Sequence, residues 1–155
     1  MLVGVDAFSP DRAVRGEADD ASPRLTATAM GRFLLVCAGG ALGTGARYLL
    51  TEWALVTLGA AFPWGTLAVN TIGSFLLGLI MYAGVEAAAI PPTLRLALGT
   101  GVMGGFTTYS AFSFETLRYL QVGSPALAAA YVVATLVGCL AACAGGWAAA
   151  RWLFS

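Results

Sequence analysis

The sequence predicts an all-α membrane protein with four transmembrane helices, the third of them broken near its centre. Three observations carry that expectation. Hydrophobic residues make up 59% of the 155-residue chain and charged residues 10%, far from the composition of a soluble domain. Four apolar stretches follow one another from Gly31 onward, each able to supply the ~20 helical residues that cross a hydrocarbon core of about 30 Å. The third stretch also gathers four glycines ahead of consecutive hydroxyl-bearing residues, a composition from which an unbroken lipid-facing helix gains little. A very apolar soluble bundle does not account for these stretches, because its helices would be apolar all round.

Residues 1–29 differ from the rest. They hold Asp6, Asp11, Arg12, Arg15, Glu17, Asp19, Asp20 and Arg24 together with two prolines, and read as a disordered polar N-terminal tail with nothing to bury. The tail lacks the order of a signal peptide, with no basic segment followed by an apolar core and a small-residue cleavage site before Met30. Apolar sequence begins at once with Met30-Gly31-Arg32-Phe33, so Met30 is an alternative translation start that intact mass of the native protein would test. Residues 30–155 are expected to form a four-helix transmembrane domain.

The spans expected from hydropathy are Arg32–Leu55, Gly65–Val85, Leu94–Leu120 and Pro125–Trp152. The breaks between them are short and contain Gly59, Pro63, Pro91, Pro92 and Gly123, which implies an up-and-down bundle. Trp53, Trp64, Tyr82, Tyr119 and Trp152 fall near the span ends, where amphipathic rings favour the headgroup level. Orientation is weakly coded. Arg32, Arg95 and Arg151 fall on the side of the termini and Arg118, with Arg47, toward the other, so the arginine bias is slight unless the tail is counted.

Function is sought in the polar residues that lipid would exclude. In the second span Thr66, Asn70 and Ser74 recur every four residues and share one face; they either bond to neighbouring helices or line a polar path. In the third, Gly99, Gly101, Gly104 and Gly105 precede Thr107, Thr108, Tyr109 and Ser110, and an interruption is expected between Gly104 and Thr108 that frees backbone carbonyls. Such an interruption is tolerable in a membrane only where it is buried in protein or lines a cavity, and broken helices at the midplane are a recurrent ion-holding device. Close glycine packing of an unbroken helix is the alternative. Beyond the interruption Tyr109, Phe112 and Glu115 advance by threes with Ser110 and Ser113 alongside, and in the fourth span Tyr131, Thr135 and Cys139 recur at four-residue spacing.

Several classes are excluded by what the chain lacks. With eight arginines, no lysine and no net charge, it has no basic stripe for a nucleic-acid partner. Histidine is absent, and Cys37, Cys139 and Cys143 have no paired spacing for zinc or redox work, so they read as small apolar packing residues. No nucleophile, base and orienting group can be assembled, which argues against an enzyme.

The runs Gly39-Gly-Ala-Leu-Gly-Thr-Gly-Ala-Arg-Tyr48, Gly65-Thr-Leu-Ala-Val-Asn-Thr-Ile-Gly-Ser-Phe75 and Gly104-Gly-Phe-Thr-Thr-Tyr-Ser-Ala-Phe-Ser-Phe-Glu115 closely resemble those of the Fluc/CrcB fluoride channels, in the same order and on the same spans. The resemblance runs from about Met30 to the C-terminus and leaves the tail without a counterpart. It implies a passive route by which cytoplasmic fluoride leaves the cell through the plasma membrane, the inner membrane where there are two. It further implies an antiparallel, dual-topology dimer with two pores, and a structural sodium ion at the dimer axis. The partner is either an identical chain or a paired homologue of opposite orientation.

By the same resemblance the sodium ion is held by backbone carbonyls of Gly104 and Thr107, an oxygen set that suits a hard cation. The fluoride path corresponds to Asn70, Tyr109 and Phe112, with Ser110, Ser113, Tyr131 and Thr135 as its hydroxyl-bearing track. Donors of these types replace the water that a small, tightly hydrated anion gives up. Glu115 matches the carboxylate beyond the aromatics. Arg47 matches the arginine of the first helix, placed either to steer anions or to pair with a carboxylate such as Glu52. Two positions depart from the family pattern: Tyr109 stands where phenylalanine is usual, and Cys139 where a hydroxyl is common. A proton-coupled drug exporter of similar outline is disfavoured, since the centre of every span lacks Asp and Glu.

Overall fold

The computed structural model describes residues 10–155, with side chains from residue 28. Within them the chain is helical with no strand: α1 (Pro10–Leu58), α2 (Trp64–Met81), α3 (Pro92–Leu96), α4 (Gly104–Phe106), α5 (Tyr109–Gln121) and α6 (Pro125–Leu153). A wide π-type turn, Tyr82–Glu86, extends α2, and another, Ala97–Met103, joins α3 to α4. Of the expected tail over residues 1–29, residues 1–9 lie outside the described residues, as do the side chains of 10–27. Residues 35–155 form one compact unit, which carries everything that follows.

Local chemistry explains where each helix stops. Gly59, at φ +81°, closes α1 with its N–H on the Leu55 carbonyl, because a left-handed residue there costs glycine nothing. A Schellman turn ends α5: Gly123 (φ +74°) donates to Leu120 O at 3.1 Å and Ser124 to Tyr119 O at 2.8 Å. Pro125 then opens α6, and Pro92 opens α3, at positions where the missing N–H has no helical partner anyway.

Three described helices are long and apolar enough to cross a membrane, Thr28–Leu58, Trp64–Glu86 and Pro125–Leu153. The third expected span, residues 94–120, is in pieces. The continuously helical residues 92–106 and the 13-residue α5 each reach only about 20 Å at the helical rise per residue, so neither crosses alone. The interruption lies at Thr107 (φ −81°, ψ 156°) and Thr108 (φ −149°, ψ 112°), inside the expected interval. Its cause is not the one read from the sequence. Gly104 keeps ordinary helical angles (φ −62°, ψ −36°), and among the described residues the left-handed glycines are Gly59 and Gly123.

The glycines serve contact instead. A side-chain carbon added at Gly39 would stand 2.7 Å from the Ala97 carbonyl, and one at Gly43 or Gly105 would meet the backbone of Val102 or Gly40, so α1 lies against residues 97–106 backbone to backbone. Gly78 and Gly146 do the same between α2 and α6, facing the carbonyls of Cys143 and Phe75. Small-residue seams of this kind hold helices together where lipid removes the hydrophobic drive between them. Val69, Met103 and Phe106 form the small buried core between α2 and the interrupted segment.

Candidate functional site at the interrupted helix

The interruption is built by one side chain. Asn70, buried on α2, accepts the Thr108 N–H on Oδ1 at 2.7 Å and donates from Nδ2 to the Thr108 carbonyl at 3.0 Å. A carboxamide thus pairs with the peptide as a neighbouring strand would, and satisfies two buried backbone groups that the extended residue takes out of the helix. Thr108 also caps α5, its Oγ1 accepting from Ala111 N at 3.2 Å and sharing a 3.2 Å hydrogen bond with Ser110 Oγ.

These bonds have a consequence for the carbonyls. In a continuous helix Thr108 N–H would serve the Gly104 carbonyl, and Ala111 N–H the Thr107 carbonyl. Asn70 takes the first and Thr108 Oγ1 the second; the carbonyls of Gly105 and Phe106 likewise lose their helical donors at the break, and Thr44 Oγ1 donates to Gly105 O at 3.4 Å. Met103 O, by contrast, accepts from both Thr107 N and Thr107 Oγ1 at 3.0 Å.

Beside the interruption lies a cavity of about 380 Å³, lined by Asn70 and Ser74 from α2, Thr107, Tyr109 and Phe112 from around the break, and Thr135 and Cys139 from α6. Its walls are mostly apolar with a few polar groups. Asn70 spends one amide hydrogen on Thr108 and keeps a second. Thr135, 5% exposed, has a buried hydroxyl with no hydrogen-bond partner. A buried orphan hydroxyl facing a cavity is a place where a polar occupant gains most.

Tyr109 is largely exposed while Phe112 is buried, and their ring centroids stand 5.5 Å apart. Phe112 leans on Tyr131 at 5.2 Å, and Phe62 and Tyr119 complete an aromatic cluster around that tyrosine.

The remaining expected residues sit elsewhere. Tyr131, wholly buried behind Phe112, donates to Glu115 Oε2 at 2.7 Å, and Thr66 donates to Glu115 Oε1 at 2.7 Å, so the carboxylate ties α2, α5 and α6 together. Glu115 and Thr66 line a second cavity of about 430 Å³, toward the α1–α2 loop, whereas neither is on the wall of the first. Ser113 returns its hydroxyl to the Tyr109 carbonyl at 2.9 Å, and Ser110 engages Thr108 on an exposed face, so neither is on the wall of either cavity. Arg47 is half-buried on α1 and, among the described residues, makes no ion pair.

Sequence reading overlooked the pairing role of Asn70 and the cap at Thr108. The signal was available in a threonine placed three residues before Ala111, at the start of the Tyr109–Gln121 helix.

Three membrane-length helices, two of them closing a polar-seamed cavity against a broken segment, make this a multi-pass integral membrane protein. The model of the family described as CrcB-like protein, Camphor Resistance (CrcB), matches residues 34–147, and the chain belongs to that family. A protein of Anaeromyxobacter dehalogenans named fluoride-specific ion channel FluC is 58% identical over 124 residues, which cover 80% of this chain and 98% of the relative. Proteins of the same name from Sorangium cellulosum (51% over 126 residues, 81% of this chain and 99% of the relative) and Agrobacterium fabrum (45% over 120 residues, 77% and 96%) are also similar.

Proposed function

We propose that this chain is a subunit of a fluoride channel in the cell membrane, through which cytoplasmic fluoride leaves passively, with no enzymatic step. The observation that carries the reading is the cavity beside the interruption, where Asn70, Tyr109, Phe112 and the unpartnered Thr135 hydroxyl converge, in a family whose relatives are named fluoride-specific channels. Fluoride entering it exchanges water for the second Asn70 amide hydrogen, the Thr135 hydroxyl, the Tyr109 phenol and the positive edge of the Phe112 ring. Several moderate contacts let the ion leave as readily as it enters. Ser110 and Ser113, exposed on α5 and off the cavity wall, join the path only where a second subunit closes over that face, and Tyr131 acts from behind Phe112 through its bond to Glu115. Arg47, without an ion pair among the described residues, acts on anions approaching the mouth.

In this proposal residues 30–155 are the channel domain, with four membrane crossings, the third made of two half-helices end to end. Residues 1–29 are a polar tail outside it. Two subunits, this chain with itself or with a paired homologue, insert antiparallel and enclose two pores between them. Gly104 is exposed within the chain and has open space around it, which suits a contact at the dimer axis. The Gly104 and Thr107 carbonyls, deprived of helical donors, fit a sodium ion there; two from each subunit would give it four oxygen ligands, and its role is to hold the broken segments together.

The test is efflux from liposomes containing only this purified chain, with internal fluoride or chloride. Fluoride release without chloride release supports the reading. Chloride release at a comparable rate, or no fluoride release from a verified dimer in either orientation, overturns it.

A further inference from the structure

We infer that Cys139 is a modification site inside the cavity, at which small neutral sulfur electrophiles, thiosulfonates and low-molecular-weight disulfides, form a mixed disulfide and close the ion path. The inference rests on the proposed channel function. Cys139 is a free, half-buried cysteine on the wall of the 380 Å³ cavity, facing it together with Ser74 and Thr135. It follows Thr135 by four residues on α6, so the two side chains stand one above the other at about 6 Å. Among the described residues the Thr135 hydroxyl is the buried side-chain group without a partner, and it marks this stretch of wall as a place for an occupant. The walls are largely apolar, which favours an uncharged reagent over a charged one. The other cysteines differ in place: Cys37 is exposed on α1, and Cys143, one turn further along α6, is off the cavity wall, its backbone carbonyl against Gly78.

The chemistry is thiol exchange. With methyl methanethiosulfonate, Cys139 gives its proton to water and its sulfur attacks the sulfenyl sulfur of the reagent. A sulfur–sulfur bond forms to the protein, the sulfur–sulfur bond of the reagent breaks, and methanesulfinate leaves with the electron pair. The methylthio group then stands in the cavity beside the Thr135 hydroxyl. A dithiol reverses the reaction by a second exchange.

The test applies methyl methanethiosulfonate to the full chain in liposomes, following fluoride efflux and, by peptide mass, the labelling of each cysteine. Efflux should fall in step with labelling of Cys139, return on reduction with dithiothreitol, and be unaffected by labelling of Cys37. Fluoride in the medium should slow labelling of Cys139 and leave that of Cys37 unchanged. Cys139→Ser, compared with its own untreated efflux, should lose the sensitivity while keeping Cys37 and Cys143. Full labelling of Cys139 with undiminished efflux, or labelling that fluoride does not slow, would overturn the inference. Absence of fluoride efflux before any reagent is added strikes instead at the proposed function.

Discussion

Replacing Asn70 with leucine tests how the interruption is held. Leucine has similar volume but removes both hydrogen bonds to Thr108, the 2.7 Å bond from its N–H and the 3.0 Å bond to its carbonyl. Thr108 is 9% exposed, so water cannot replace the lost partners without opening the packing. Two buried groups left unsatisfied cost about 1–3 kcal/mol each, or about 2–6 kcal/mol together. Hydrogen bonds between membrane helices average nearer ~0.6 kcal/mol each, because the alternative state finds other partners. Here one alternative exists: the segment can close into a continuous helix, returning Thr108 N–H to the Gly104 carbonyl. That rescue recovers one bond and leaves one group unsatisfied, which places the expected loss at about 1–3 kcal/mol. Asn70→Asp retains the acceptor for Thr108 N–H and loses the donor, so it tests the two bonds separately. The assay is reversible unfolding of the purified protein in mixed micelles of mild detergent and dodecyl sulfate. A loss below about 0.5 kcal/mol for Asn70→Leu would refute the claim that this side chain holds the break open.

Three further outcomes follow from the packing. Glu115→Gln leaves one of the Thr66 and Tyr131 hydroxyl hydrogens without its acceptor, and the same unfolding assay should show a loss of about 1–3 kcal/mol. Gly146→Ala drives a methyl group into the Phe75 carbonyl and forces α6 from α2, so the destabilisation should reach at least the upper part of the usual overpacking range of about 1–3 kcal/mol; an unchanged midpoint would contradict the described seam. Gly104→Ala meets nothing within 4 Å inside the chain, so the subunit should fold, while cross-linking and size-exclusion chromatography should show loss of the dimer if the two subunits approach at that residue.

Much of the architecture was legible because apolar length is a strong signal. The second and fourth spans were placed within a few residues, and prolines and glycines marked the loops. The interruption was placed correctly for an incorrect reason. Glycine richness suggested unusual backbone angles, yet the glycines are helical, with Gly101 and Gly105 allowing α1 to approach, while the break itself depends on Asn70, a residue in another helix. A tertiary hydrogen bond of that kind leaves no local trace. Periodicity did place Asn70 and Ser74 on one face, and Thr135 and Cys139 on another, and both pairs meet at the cavity. It could not show that Tyr131 and Thr66 turn to Glu115 or that Ser113 bonds back to its own helix, since side-chain partners depend on helix rotation.

In the proposed function anions pass through the cavity bounded by Phe112 and Thr135. Current through single dimers in a planar bilayer, with fluoride on both sides, measures this most directly when the unmodified chain is compared with Phe112→Ile. Unitary fluoride currents are expected for the former and none for the latter, although both remain folded dimers. Equal fluoride currents from the two proteins would contradict it.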